Sequence, residues 1–123
     1  MSASHEQSPH GNAPDSLAHL QAALQAFADA RQWAPFHAPK NLASALIVEA
    51  GELLEHFQWM TEAQSRTLDA STRQAVAHEM ADVLLYLVQL ASSLEVDLLE
   101  AARQKMALNA VKHPVPEPPP DAA

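Results

Sequence analysis

Val83-Leu84-Leu85-Tyr86-Leu87-Val88-Gln89-Leu90-Ala91 decides the fold class. The run is apolar on nearly every side of a helix, and it lies within residues 40 to 113, an interval that holds none of the nine prolines. Proline removes a backbone donor and clashes with the preceding turn, so an interval free of it favours helices. The two glycines are Gly11 and Gly51, and no Asn-Gly or Asp-Gly pair supplies a hairpin turn. The chain therefore reads as all-α, with four helices. A helix that is apolar all round needs neighbours on all sides, more than three other helices supply, so a homo-oligomer is expected.

Outward from that run, Leu17, Leu20, Leu24 and Phe27 recur at spacings of three and four, which predicts a first helix over about Ser16 to Arg31. Trp33, Pro35 and Phe36 form an aromatic turn. A second helix begins near Pro39 to Asn41, proline being harmless in a first turn, and runs to about Met60. After a polar connection from Thr61 to Ala70, Ser71-Thr72-Arg73-Gln74 reads as the capping box of the third helix, which reaches about Leu94. Asp97 caps a fourth helix that Pro114 stops near Lys112. Residues 1–14 and the Pro-rich 114–123 are expected to be flexible tails around one domain, 15–113.

The 123 residues carry a net charge of −8, which argues against a broad basic surface for nucleic acid and means a polyphosphate ligand needs a bridging cation. With 48% apolar and 18% charged residues a folded core is expected. The absence of cysteine excludes disulfides and thiolate metal sites. The first residues lack an apolar leader and no stretch has the length of a membrane span, so a cytoplasmic protein without membrane or nucleic-acid partners is expected.

Glu49 and Glu52 are spaced i, i+3 on the second helix, and Glu79 and Asp82 are spaced i, i+3 on the third. Glu49 follows Leu46-Ile47-Val48, and Asp82 precedes the apolar run, where a solvated face is out of place. Four partly buried acids repel and raise one another's pKa unless a cation compensates them. An all-oxygen cluster suits Mg²⁺, with Mn²⁺ as a possible substitute. Each pair alone is more often a solvated face. Gly51, inside the second helix, costs about 1 kcal/mol and signals close approach of a backbone, a ligand or a packed helix.

These residues carry a resemblance. Glu49-Ala50-Gly51-Glu52-Leu53-Leu54-Glu55-His56-Phe57-Gln58-Trp59, with Glu79-Met80-Ala81-Asp82-Val83-Leu84-Leu85-Tyr86, is similar to the paired E-x-x-E and E-x-x-D motifs of the MazG-type all-α nucleoside triphosphate pyrophosphohydrolases. Trp33-Ala34-Pro35-Phe36-His37-Ala38-Pro39-Lys40-Asn41-Leu42 and the segment Lys105-Met106-Ala107-Leu108-Asn109 with Lys112-His113-Pro114 resemble further motifs of its dCTP pyrophosphatase branch. The likeness covers about residues 17–114.

The resemblance implies a four-helix MazG-like bundle, dimeric or tetrameric, that hydrolyses a (deoxy)nucleoside triphosphate to the monophosphate and pyrophosphate. The substrates it implies are dCTP or modified, non-canonical dNTPs. Glu49, Glu52, Glu79 and Asp82 would hold Mg²⁺, which neutralises the triphosphate and acidifies water, and one of them would take the water proton. Trp33, Trp59 and Tyr86 match nucleobase-pocket positions, whose alternative is ordinary packing. His37 is a candidate contact to base or sugar, or a helix cap. Lys40, Lys105 and Asn109 are candidate phosphate contacts, or plain surface residues. His56 and His78 lie near the acids, but hard oxygen sites seldom recruit histidine. Three positions depart from the pattern: Val48 stands in place of a leading acid, Lys40 in place of Arg, and Leu24 where some members carry a substrate-contacting His. Two other classes compete: a non-catalytic helical interaction module, and a di-metal carboxylate redox bundle. The second needs Glu-x-x-His, which the chain lacks.

Overall fold

The computed structural model describes residues 13–121, so most of the 1–14 segment and the last two positions of 114–123 lie outside the described residues. Among the described residues there is no strand, and the order is α1 (Leu17–Ala30), a 3₁₀ turn (Ala34–Phe36), α2 (Pro39–Glu55), α3 (Glu62–Ser65), α4 (Ala70–Ser93) and α5 (Leu98–Lys112). The all-α expectation is met with five helices rather than four. The extra one, α3, is a single turn in the 61–70 connection, where Thr61 accepts from the Gln64 backbone N–H and Gln64 accepts from that of Thr61. The capping box is therefore here, and not at Ser71 to Gln74. The long helix is capped two residues earlier than that reading, because the Asp69 carboxylate accepts from the Thr72 N–H at 2.7 Å.

The caps of α1 and α5 are Ser16, accepting from His19 N–H, and Asp97, accepting from Glu100 N–H. Helix α2 stops at Glu55, short of Met60. His56 and Phe57 already bond three residues back rather than four, which tightens the chain into turns.

α1 and α4 end in the same way. Gln32 N–H bonds Asp29 C=O while Trp33 N–H bonds Ala28 C=O, and Glu95 and Val96 repeat this on Ser92 and Ala91. Each is a Schellman motif, with Gln32 and Glu95 left-handed at φ 55° where glycine is usual. The first motif turns Trp33 and the 3₁₀ segment back over α1, and Asn41 ties that segment to α2 by donating to Phe36 C=O.

α2 packs along α4, α1 lies on α4, and α5 packs little against any of them. The buried apolar core is thin: Ala28, Leu42, Val76, Val88 and Ala91. On the other side of the α2–α4 pair, Ile47 and Leu54 (67% and 63% exposed) and Met80, Leu84 and Leu87 form two apolar stripes at i, i+4, i+7. Gly51 sits in the first stripe, and a Cβ there meets nothing within 4 Å. Packing inside the protomer therefore does not account for the glycine. No helix among the described residues is long and apolar enough to cross a membrane.

Candidate active site

Because α2 and α4 lie side by side, the two acid pairs meet. Glu49, Glu79 and Asp82 each bring a carboxylate oxygen to within 4.8 Å of the others. Glu52, the fourth acid expected in the cluster, is half-buried and close enough to Glu49 to oppose its ionisation, but it stands outside this trio. Glu49 Oε2 and Glu79 Oε2 are buried and meet no donor. Two facing acceptors repel unless a proton or a cation lies between them. The Glu79 carboxylate, then burial, then the charges of Glu52 and Asp82 push the Glu49 carboxyl up to about 7. The orphaned oxygens and the hard, all-oxygen donor set fit a divalent cation of the Mg²⁺ type. His56 and His78 stay outside the trio; the exposed His78 pairs with Gln74 at 2.7 Å.

Glu49 and Asp82 also line a cavity of about 510 Å³ between α1, the 3₁₀ turn, α2 and α4. Its aromatic wall is Phe27, Trp33, Phe36 and Tyr86. Trp33 meets Phe27 edge-on at 5.5 Å and tilts against His37 at 5.8 Å, and the Arg31 guanidinium covers the Phe27 ring. Such edge-on pairs hold an aromatic ring in one orientation. Leu24 completes the apolar side, while His37, Asn41 and Gln89 supply polar groups. The cavity therefore joins an acidic cation site to an aromatic slot.

Of the substrate-contact candidates singled out from sequence, Trp33, His37 and Tyr86 line this cavity with Glu49 and Asp82. The others do not. Trp59 is 89% exposed on the turn after α2. Lys40, at the start of α2, and Lys105 and Asn109, on the outlying α5, are exposed and line no part of the cavity. Sequence reasoning overlooked Phe27, Asn41 and Gln89. For Gln89 a signal existed, since it falls seven residues after Asp82 and so on the same face of α4.

A model of the MazG-like family matches residues 45–118. The chain is 44% identical over 91 residues to rat dCTP pyrophosphatase 1 and 44% identical over 90 residues to the human protein of that name. These matches take in 72% of the chain, which spans about half the length of these relatives, 54% and 53%. Among solved structures, a pyrophosphatase from Archaeoglobus fulgidus superposes with a TM-score of 0.65 at 36% identity, over 80% of this chain and 93% of that one.

Proposed function

The chain belongs to the MazG-like family, and on that premise we propose that it hydrolyses nucleoside triphosphates, dCTP or a modified deoxycytidine-type triphosphate foremost, to the monophosphate and pyrophosphate. The observation that carries the proposal is that a cation-competent acid trio sends two members, Glu49 and Asp82, into one cavity of nucleotide dimensions with an aromatic slot. The relatives named dCTP pyrophosphatase support the choice of base.

On this reading Glu49, Glu52, Glu79 and Asp82 would hold Mg²⁺. Mn²⁺ is an acceptable substitute of the same hardness. The bound ion supplies charge neutralisation for the triphosphate and acidity for the attacking water. The protein does the rest. Trp33 and Tyr86 stack the base, an interaction worth about 1–3 kcal/mol, and thereby fix the α-phosphorus relative to the acids. His37 offers a ring nitrogen to base or sugar. A carboxylate of the cluster accepts the proton of the attacking water. Lys40, Lys105 and Asn109 are assigned to the outer phosphates, which a protein of charge −8 otherwise repels.

The assembly proposed is a dimer, or a tetramer of two dimers. The apolar stripes of α2 and α4, the open Gly51 and the loosely packed α5 support it, because monomers rarely expose contiguous apolar faces. Trp59 is largely in solvent in its own protomer and is assigned to the cavity of a neighbouring copy. The cytoplasm, where free nucleoside triphosphates occur, is the location that accords with the substrate.

The test is a panel of canonical and modified nucleoside triphosphates with Mg²⁺, pyrophosphate and orthophosphate being followed separately and Glu79→Gln serving as the blank. Pyrophosphate release that vanishes in the variant is expected. No release of either product by folded, assembled protein overturns the proposal and leaves the interaction-module reading.

A further inference from the structure

α4 carries Glu79, Asp82, Tyr86 and Gln89 at successive spacings of three, four and three, which places all four on one stripe of the helix. Asp82, Tyr86 and Gln89 line the main cavity. Gln89 also lines a second, adjoining cavity of about 230 Å³, so it stands in the wall between the two. In that second cavity the other amides are engaged: Gln21 donates to Ser92 Oγ at 2.7 Å and Gln25 to Asp29 at 2.9 Å. The Gln89 side chain is half-buried and, among the described residues, forms no hydrogen bond. Its amide, on the cavity wall, is therefore uncommitted within the protomer and keeps both its donor and its acceptor for a group that enters the cavity.

Position along the helix says which part of the ligand that is. Gln89 lies seven residues beyond Asp82, about 10.5 Å along the axis at the usual helical rise. That is close to the reach of a nucleoside 5′-phosphate from its phosphorus to the far edge of the base. Tyr86 falls between them, beside the sugar and the base face. In a pyrimidine nucleotide the far edge, opposite the glycosidic N1, is N3 with the substituent on C4. In a cytosine-type base that edge presents an acceptor beside an amino donor, the complement of a glutamine amide.

We propose that Gln89 is a specificity-determining residue that reads the N3/C4 edge of a 4-aminopyrimidine base, its Oε1 accepting from the 4-amino group and its Nε2 donating to N3. The inference rests on the hydrolase reading above. Leu24 and Phe27, the α1 residues that line the same cavity, offer that edge no competing side-chain hydrogen bond, so on this wall discrimination falls to Gln89.

The experiment deletes each half of the contact in turn. Wild type and Gln89→Met are compared on dCTP and on the triphosphate of 2-pyrimidinone deoxyribonucleoside, which lacks only the 4-amino group. Mg²⁺-induced thermal shift and helical content of the variant serve as controls for folding and for the cation site. The wild type is expected to prefer dCTP in kcat/KM by roughly 10–100-fold, and Gln89→Met to bring the ratio of the two substrates near one with its Mg²⁺ shift intact. If Gln89→Met is misfolded, Gln89→Asn, whose shorter amide withdraws from the edge, is read by the same ratio. A wild-type preference that survives in the variant, or no preference in an active wild type, overturns the inference and leaves the hydrolase reading standing. A wild type that hydrolyses no triphosphate overturns both.

Discussion

Glu49 Oε2 on α2 and Glu79 Oε2 on α4 are both buried, and neither is met by a hydrogen-bond donor. The fold thus brings together two acceptors that repel, and the repulsion has to be relieved by a proton on Glu49 or by a cation.

The first consequence concerns pH. Glu49 titrates at about 7 in the folded protein against an ordinary 4.5, so the folded state binds the proton more tightly than the unfolded chain. Its contribution to stability is fully present below about pH 4.5 and is lost as pH rises through 7. The thermal midpoint of the metal-free protein should therefore fall between pH 5.5 and 8, and saturating Mg²⁺ should abolish that fall. Mg²⁺ binding near pH 6 should also release a proton, measured by calorimetry in buffers of different ionisation enthalpy.

Removing one of the two charges separates stability from activity. In Glu79→Gln the new amide can donate to Glu49, so the metal-free protein at pH 8 should melt higher than wild type. Hydrolysis should fall by more than the ~10–100-fold typical of losing an outer partner of a metal ligand. Melting curves and initial rates on the same samples check both directions.

Trp33 is held by Phe27 at 5.5 Å and by His37 at 5.8 Å. Trp33→Leu, which keeps an apolar side chain but loses the stacking face, should lower kcat/KM by roughly 10–100-fold, the equivalent of ~1–3 kcal/mol per stacked base. The Mg²⁺ affinity, measured by titration without nucleotide, should be unchanged.

Gln32 and Glu95 occupy left-handed positions at φ 55°, where a side chain costs about 1–2 kcal/mol relative to glycine. Gln32→Gly and Glu95→Gly should each raise stability by about 1 kcal/mol after the greater freedom of glycine in the unfolded chain is counted. Urea melts would show a higher midpoint with an unchanged slope.

Gly51 gives a test of assembly. Within the protomer an added methyl meets open space, so Gly51→Ala should strengthen α2 by about 1 kcal/mol. If a second copy packs against Ile47, Gly51 and Leu54, the same methyl should weaken the oligomer. Light scattering after size exclusion, over a range of protein concentration, is expected to show a shift toward smaller species.

Periodicity and punctuation were enough to place the four long helices, though not the C-terminal end of α2. Proline-free length and the three-and-four spacing of Leu17, Leu20, Leu24 and Phe27 report local rules, satisfied within a few residues of chain. The acid pairs were legible for the same reason, since i, i+3 spacing fixes a shared face. Small local competitions were not legible: Asp69 rather than Ser71 capped α4, and Thr61 with Gln64 made a helix inside a connection.

What the tertiary structure alone decided is which faces meet. Packing α2 against α4 set Glu49 within reach of Glu79 and Asp82 while leaving Glu52 outside the trio, a difference no spacing encodes. The Schellman turn at Gln32 brought Trp33 and His37 over the cavity, whereas the turns that end α2 left Trp59 in solvent, although all three were candidates in the sequence. Gln89 read as part of an apolar run until α1 and α2 closed around it. Helical geometry is a property of neighbouring residues, whereas burial and contact depend on how distant segments are laid together.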